Sequence, residues 1–340
     1  MRIHILGTGL EGLATALILE HNGFDDVHLV HVGVNRGAPA VELPPNGSRV
    51  LYALGLKDQL ESYAAAPQME HRRTAATGYL LQQRPLGHFT HDRYKAPHLT
   101  IATTALTAIL REASKRLESH DTHTGDADNA DLTIDASGCG SSPLGYEVTT
   151  TPWSSSWHTT ASAGNVITSW LSDNQYLRQI PTPEGTFVLH VGSATPHPRF
   201  ASLWASDHTV GRQPVLDHAP FGSWIDGRCV LLGSAAHPLL PFTNQDFALA
   251  LEDAWVLARM LDGFEDDTDL ALREYQRYRL PRATRVQRYA REQGQLVTES
   301  RRAAKVSRNL RLALGYWFLP EMALSAEDWL YEYDCLKGFD

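Results

Sequence analysis

The sequence predicts an α/β protein: a Rossmann-like layer opening on a βαβ unit, an inserted mixed β-sheet, and helices toward the C-terminal end. Three observations predict it. A short apolar strand over residues 3–6 runs into Gly7-Thr8-Gly9-Leu10-Glu11-Gly12, followed by Leu13, Ala14, Leu17 and Ile18 at helical spacing and a second apolar strand at 27–32. Residues of about 145–225 are rich in Trp, Thr, Ser, Pro and His with patchy alternation, the pattern of a mixed sheet. From Gln245 on, Ala248, Leu251, Trp255, Ala258 and Leu261 share one helical face. Residues 1–75, 98–144 and 226–265 are assigned to the dinucleotide-binding type of domain, 76–97 and 145–225 to the inserted sheet, and 266–340 to the helical region.

Each element has a local reason. Glycines at 7, 9 and 12 allow a tight turn and a close approach of backbone to a pyrophosphate, which the following helix N-terminus attracts. Pro44-Pro45-Asn46 opens a helix that ends near Gly55. Residues 79–89 read as strand, and 103–117 as an amphipathic helix with Leu106, Ile109 and Leu110 on one face. The polar stretch 121–131 reads as loop, and 132–135 as a strand ending in Ala136-Ser137-Gly138. Residues 229–232 form a buried strand entering Gly233. Residues 268–298 read as a long charged helix with Thr268 as its N-cap and a kink at Pro281.

Composition excludes several classes. The formal charge of −9 argues against nucleic acid, whose backbone calls for a basic face. With 43% hydrophobic and 20% charged residues the 340-residue chain reads as an ordinary globule. No apolar run is long enough to span a bilayer, and Glu11 and the glycines break the N-terminal apolar stretch in a way a signal peptide would not. Cys139, Cys229 and Cys335 are few and widely spaced, which predicts a reducing, cytoplasmic setting. The histidines show no metal-ligand spacing, and no Gly-x-Ser-x-Gly elbow is present, so neither a metal site nor a serine nucleophile is expected.

Several motifs together resemble one family. They are Gly7 to Gly12, Leu43-Pro44-Pro45-Asn46 with Leu54-Gly55-Leu56, and Ala130-Asp131-Leu132 with Gly138. Gly233-Ser234-Ala235-Ala236-His237-Pro238 with Pro241, Leu251-Glu252-Asp253-Ala254, and Tyr275 with Arg279, Pro281 and Arg282 follow in order. The chain resembles the class A flavoprotein monooxygenases, the p-hydroxybenzoate and salicylate hydroxylase-like group. The resemblance implies an FAD/NAD(P)-binding fold of the p-hydroxybenzoate hydroxylase type, in which FAD reduced by NAD(P)H activates O₂ to hydroxylate an aromatic substrate. It implies cofactor contacts at Gly7, Gly9, Gly12, His31, Arg36, Ser137, Gly138 and Ser234.

The chain departs from the family pattern at many of these points. His31 stands where an acidic residue is usual, and Ala38-Pro39-Ala40-Val41 replaces a glycine-rich stretch. Thr103 and Ala105 replace an arginine and an aspartate, and the connection from Arg116 to Ala130 is short. Ser137 and Ser234 each replace an aspartate; the one at 234 normally holds the ribityl chain of FAD. Asn244-Gln245-Asp246-Phe247 replaces a Gly-x-Gly loop, placing a carboxylate of unfavourable sign near a reduced flavin. At about 1 kcal/mol per lost contact, five losses weaken FAD by roughly three to four decades.

The leading expectation is therefore that the fold is kept, that no cofactor is used, and that a hydrophobic or aromatic small molecule undergoes cyclisation, isomerisation or dehydration. Asp246 and His237 are its catalytic candidates, Asp246 as an acid/base group whose carboxyl is shifted upward beside Phe242 and Phe247. The alternative is a working FAD- and NAD(P)H-dependent monooxygenase. A third reading is a non-catalytic binding protein.

Overall fold

The computed structural model describes residues 1–32, 37–114, 129–139, 149–160, 164–192, 197–203, 209–318 and 325–337. β1 (Ile3–Leu6) leads through the glycine turn into α1 (Leu10–His21), which crosses over to β2 (Val27–Val30). The two strands pair in parallel with Ile3 opposite Val27, as a helical crossover permits and a tight turn does not. β3 (Ala40–Leu43) precedes α2 (Pro45–Ala53) and α3 (Lys57–Tyr63). Next come β4 (Met69–Thr74), β5 (Leu80–Pro85), α4 (Gly87–Tyr94), β6 (Leu99–Ala102) and α5 (Thr103–Ala113).

β7 (Leu132–Asp135) pairs in parallel with β1, in the span the sequence predicts. The inserted region supplies β8 (Thr149–Thr160), β9 (Val166–Ser172), β10 (Gln175–Thr182), β11 (Gly185–Gly192), α6 (Pro198–Leu203) and β12 (Thr209–Asp217). The chain then returns to the first layer through β13 (Ile225–Asp226) and β14 (Cys229–Leu231). It finishes in α7 (Asp246–Gly263), α8 (Thr268–Thr298), α9 (Arg302–Phe318) and α10 (Asp328–Tyr331).

Two principal sheets result. One has the order β13-β14-β7-β1-β2 with a parallel core, and the other the order β12-β8-β11-β10-β9-β4-β5. β3 and β6 form a small antiparallel ladder between them in sequence. The main hydrophobic cluster joins Ile3 and Ile5 of β1, Leu13 and Ile18 of α1, Leu51 of α2, Leu106 and Leu110 of α5 and Leu251 and Leu257 of α7. Burial of this apolar surface is the main force holding the helices to the parallel sheet.

The structure differs from the sequence reading in four places. β4 belongs to the seven-stranded sheet, where it pairs in parallel with β9, so that sheet begins before residue 76. The predicted strand at 79–89 ends at Pro85, and Gly87 at φ +50 starts α4. The N-cap of α8 is Asp267, whose Oδ1 accepts from Leu270 N at 2.9 Å, rather than Thr268. Pro281 lies within an unbroken α8, where Arg279 and Arg282 are tied to α7. That buried attachment outweighs the local cost of proline.

Those ties explain a distant pair of motifs. Arg279 Nε meets Asp253 Oδ1 at 2.7 Å, and its Nη2 meets Glu252 Oε2 at 2.8 Å. Arg282 Nη2 meets Glu252 Oε1 at 3.0 Å. Asn46 Nδ2 donates to the same Glu252 oxygen at 2.7 Å and to Gln245 Oε1 at 2.9 Å. Burial raises the cost of both acids, but Arg282 and Arg279 more than offset it at Glu252, and His237 and Arg279 at Asp253, holding both carboxyls below their usual range. Among the described residues, no helix is long and apolar enough to cross a membrane.

Candidate functional site

A cavity of about 570 Å³ lies at the C-terminal end of β1 and reaches the face of the seven-stranded sheet. The crevice at the carboxyl ends of parallel strands is where open α/β sheets bind ligands. One end is lined by Gly7, Thr8, Gly9 and His31, the other by Trp157, Ile180, Leu189 and Val215.

The glycine turn has the shape a pyrophosphate requires. A Cβ on Gly7, at φ +111, would stand 2.5 Å from Ala136 O, and one on Gly12 would stand 1.9 Å from Gly7 O. Those two glycines let β1, β7 and α1 close together. A Cβ on Gly9 would meet nothing within 4 Å, so its backbone faces open space. No side chain caps α1 at Gly9. An uncapped helix N-terminus beside open space suits an anionic diphosphate. The residues present thus fit FAD: the open face at Gly9 and the N-terminus of α1 suit a diphosphate, and the cavity extends toward the larger sheet.

Beside α1 lies the turn Gly233–Ala235, followed by His237 and Pro238; of these, Ser234 and Pro238 line the cavity. Asp253 supports the turn from beneath. Its Oδ2 accepts Gly233 N at 3.1 Å and lies 2.5 Å from His237 Nε2. Burial disfavours charge on His237, but the Asp253 carboxylate outweighs it and raises the imidazole above its ordinary value. His237 is buried, does not line the cavity, and has no partner for Nδ1 among the described residues. It packs against Trp224.

Glu11 bonds directly to this turn. Its Oε1 accepts from Ser234 Oγ at 2.5 Å and its Oε2 from Ser234 N at 3.0 Å. Both residues line the cavity. Burial pushes the Glu11 carboxyl up to about 7, against the lowering effect of the two Ser234 bonds. Ser137 turns away from the cavity in its bonding: its N and Oγ both donate to Asp135 Oδ1, at 3.0 and 2.6 Å.

The loop at 244–247 enters α7. Asn244 at φ +53 turns the chain, and buried Gln245 is pinned by Asn46. Asp246 and Phe247 both line the cavity. Burial raises the Asp246 carboxyl to about 6, while hydrogen bonds from the backbone at Asp246 and Leu239 and the nearby His237 lower it. Phe242 does not join them; it packs against Trp153 and Tyr176.

Of the site residues expected from sequence, Gly7, Gly9, His31, Ser137, Ser234 and Asp246 meet around one cavity. Gly12 packs against Gly7 behind the turn, and Gly138, at φ +87, follows β7. Arg36 lies outside the described residues. His31 Nδ1 stands 3.3 Å from Thr8 Oγ1. Sequence reasoning missed Glu11 as a lining residue, although an acid inside the glycine turn is itself a signal. It also missed Glu42, Trp157 and Gln213, which line the cavity from β3, β8 and β12.

Comparison with known proteins gives the wider setting. No protein-family model matches the chain. It is 30% identical over 347 residues to 3-amino-4-hydroxybenzoate 2-monooxygenase of Streptomyces cremeus, covering 86% of each chain. It is 27% identical to 6-hydroxynicotinate 3-monooxygenase of Bordetella bronchiseptica, over 84% of this chain and 90% of that one. Klebsiella pneumoniae HpxO complexed with FAD and uric acid superposes with a TM-score of 0.78 at 20% identity, over 92% of both chains.

These findings correct the expectation that no cofactor is used: relatives along most of the chain are monooxygenases, and FAD occupies the structural neighbour. They also favour the FAD-dependent monooxygenase alternative over a cofactor-independent cyclase, isomerase or dehydratase, and an enzyme over a binding protein. The summed losses treated each position alone, and such sums fail where groups share neighbours. Asp135 stands against Ser137, and Glu11 against Ser234.

Proposed function

The chain belongs to the class A flavoprotein monooxygenase family, and we propose that it is an FAD- and NAD(P)H-dependent hydroxylase of a small aromatic molecule. What supports this most is the single continuous cavity that joins the glycine turn to an aromatic and aliphatic wall on the larger sheet. FAD, when bound and reduced by NAD(P)H, supplies the activation of O₂ from which one oxygen atom is inserted into the ring.

The protein's own groups bind, shield and handle protons. Gly7, Gly9 and the N-terminus of α1 receive the diphosphate. Trp157, Ile180, Leu189, Val215 and Leu216 offer an apolar surface for a flat ring and keep water from it. Ser155 and Gln213 line the same region and can hydrogen-bond a hydroxyl or amide substituent. Asp246 is the proton acceptor of this reading. With a carboxyl raised to about 6 it is mostly ionised at neutral pH, yet basic enough to take a proton from a phenolic hydroxyl. His237 acts as a support for the Ser234 turn.

The test is to purify the chain, titrate it with FAD, and follow NAD(P)H oxidation with a panel of hydroxylated and aminated aromatic compounds. The expected result is flavin uptake and an aromatic product heavier by one oxygen atom. Turnover of an aromatic substrate by flavin-free protein would overturn the proposal.

A further inference from the structure

We propose that Glu11, locked in place by Ser234, is the binding carboxylate for the hydroxylated chain of FAD. This rests on the reading of the chain as an FAD-dependent enzyme. The carboxylate of the cofactor site then comes from the glycine turn, in direct contact with the turn at Gly233–Ala235.

The geometry carries the inference. Ser234 gives Glu11 both of its donors, Oγ–H to Oε1 at 2.5 Å and N–H to Oε2 at 3.0 Å. Each carboxylate oxygen can accept more than one bond, so both retain acceptor capacity. Both residues line the cavity, so that capacity is available to a ligand. Among the described residues Glu11 forms no salt bridge; His237, paired with Asp253, acts on it only through space.

The support is rigid. Gly233 N donates to Asp253, which also holds His237 and Arg279, so the turn cannot swing away from Glu11. A Cβ at Gly233 would approach Glu11 Oε2 to 2.6 Å; only glycine lets the carboxylate reach the turn. A buried acid serving only as a brace would be a costly choice, because a neutral amide or hydroxyl could brace the turn without a charge to desolvate.

The ligand chemistry follows. A diphosphate has no protons to donate at neutral pH, and an ionised carboxylate repels it. A polyol presents several O–H donors and matches the unused acceptors of Glu11. Within FAD, the ribityl chain is the polyol that connects the diphosphate to the flavin ring.

The experiment measures affinity rather than turnover. Glu11→Gln, Glu11→Ala, Ser234→Asp and the Glu11→Ala/Ser234→Asp double variant are titrated with FAD by flavin fluorescence, and with ADP by calorimetry. ADP carries the diphosphate but no ribityl chain. Thermal unfolding of each apo-protein checks folding, and the near-isosteric Glu11→Gln decides the matter where Glu11→Ala does not fold.

At pH 8, where Glu11 is mostly ionised, loss of a charge-assisted bond predicts FAD binding weaker by about tenfold or more in both Glu11 variants, with ADP affinity changed by less than about twofold. Ser234→Asp alone should also weaken FAD, because two carboxylates then face each other. The double variant should recover most of the loss. FAD binding by the Glu11 variants as tight as, or tighter than, that of the unsubstituted chain would overturn the inference. Equal losses for FAD and ADP would overturn it too, since Glu11 would then act on the turn itself. Absence of FAD binding by the unsubstituted chain would instead defeat the functional reading beneath it.

Discussion

Asp253 Oδ2 lies 2.5 Å from His237 Nε2 and also accepts Gly233 N at 3.1 Å, so one buried carboxylate holds both ends of the turn that carries Ser234. The histidine of the Gly-Ser-Ala-Ala-His-Pro stretch is a strut, and the serine is the residue it presents to the cavity. Breaking a buried charged pair costs about 3–5 kcal/mol. Arg279 would still partner Asp253, so His237→Ala is expected near the lower end, measured by denaturant unfolding. A stability unchanged by that substitution would show that the pair carries no load.

Glu11 links stability to pH. Its carboxyl is raised by burial from 4.5 to about 7, so the folded protein binds more protons than the unfolded chain between those values. The stability contribution is full below about pH 4.5 and is lost as pH rises through about 7. Apo-protein unfolding followed from pH 5 to 8 should show this fall, and Glu11→Gln should flatten it. Asp253, held near 2, works in the opposite direction: its contribution is present above 3.8 and is lost as pH falls through about 2.

Asp246 gives the reaction its own pH signature. As proton acceptor it must be ionised, so turnover should rise with pH through about 6. Asp246→Asn should lower kcat by about 10²–10⁴-fold and remove that acid limb. A pH–rate profile of the variant that keeps the limb would assign the proton transfer to another group.

The glycine turn separates folding from binding. Gly9 meets nothing at its Cβ position, whereas Gly12 would meet Gly7 O at 1.9 Å. Gly9→Ala should therefore fold with stability changed by about 1 kcal/mol or less, while narrowing the approach of FAD and raising its Kd. Gly12→Ala should fail to fold or unfold at much lower temperature. Thermal unfolding and FAD titration of the two variants test both halves.

Much of this architecture is local and therefore legible. Residues 3–6 run into Gly7 and 132–135 into Ala136-Ser137-Gly138, and both strands take their predicted spans. The glycine turn announces α1, and the apolar face from Ala248 to Leu261 announces α7. What escaped reading depends on partners far along the chain. Glu11 and Ser234 are 223 residues apart, so a lost aspartate at 234 could not be set against an acid at 11 by counting motifs singly. Pro281 predicted a kink because the ties of its neighbours Arg279 and Arg282 to Asp253 and Glu252 on α7, 26 and 30 positions back, are invisible to local rules. The Asp246 loop was legible as a departure, but its place at the cavity depends on Asn46 holding Gln245, 199 positions away.

Whether this cavity holds FAD is decided by equilibrium titration of the folded apo-protein with FAD. Saturable, stoichiometric binding is expected, with a change in flavin fluorescence and a higher unfolding temperature. A well-folded protein with no saturable FAD binding and no thermal stabilisation by FAD would show that the cavity serves something else.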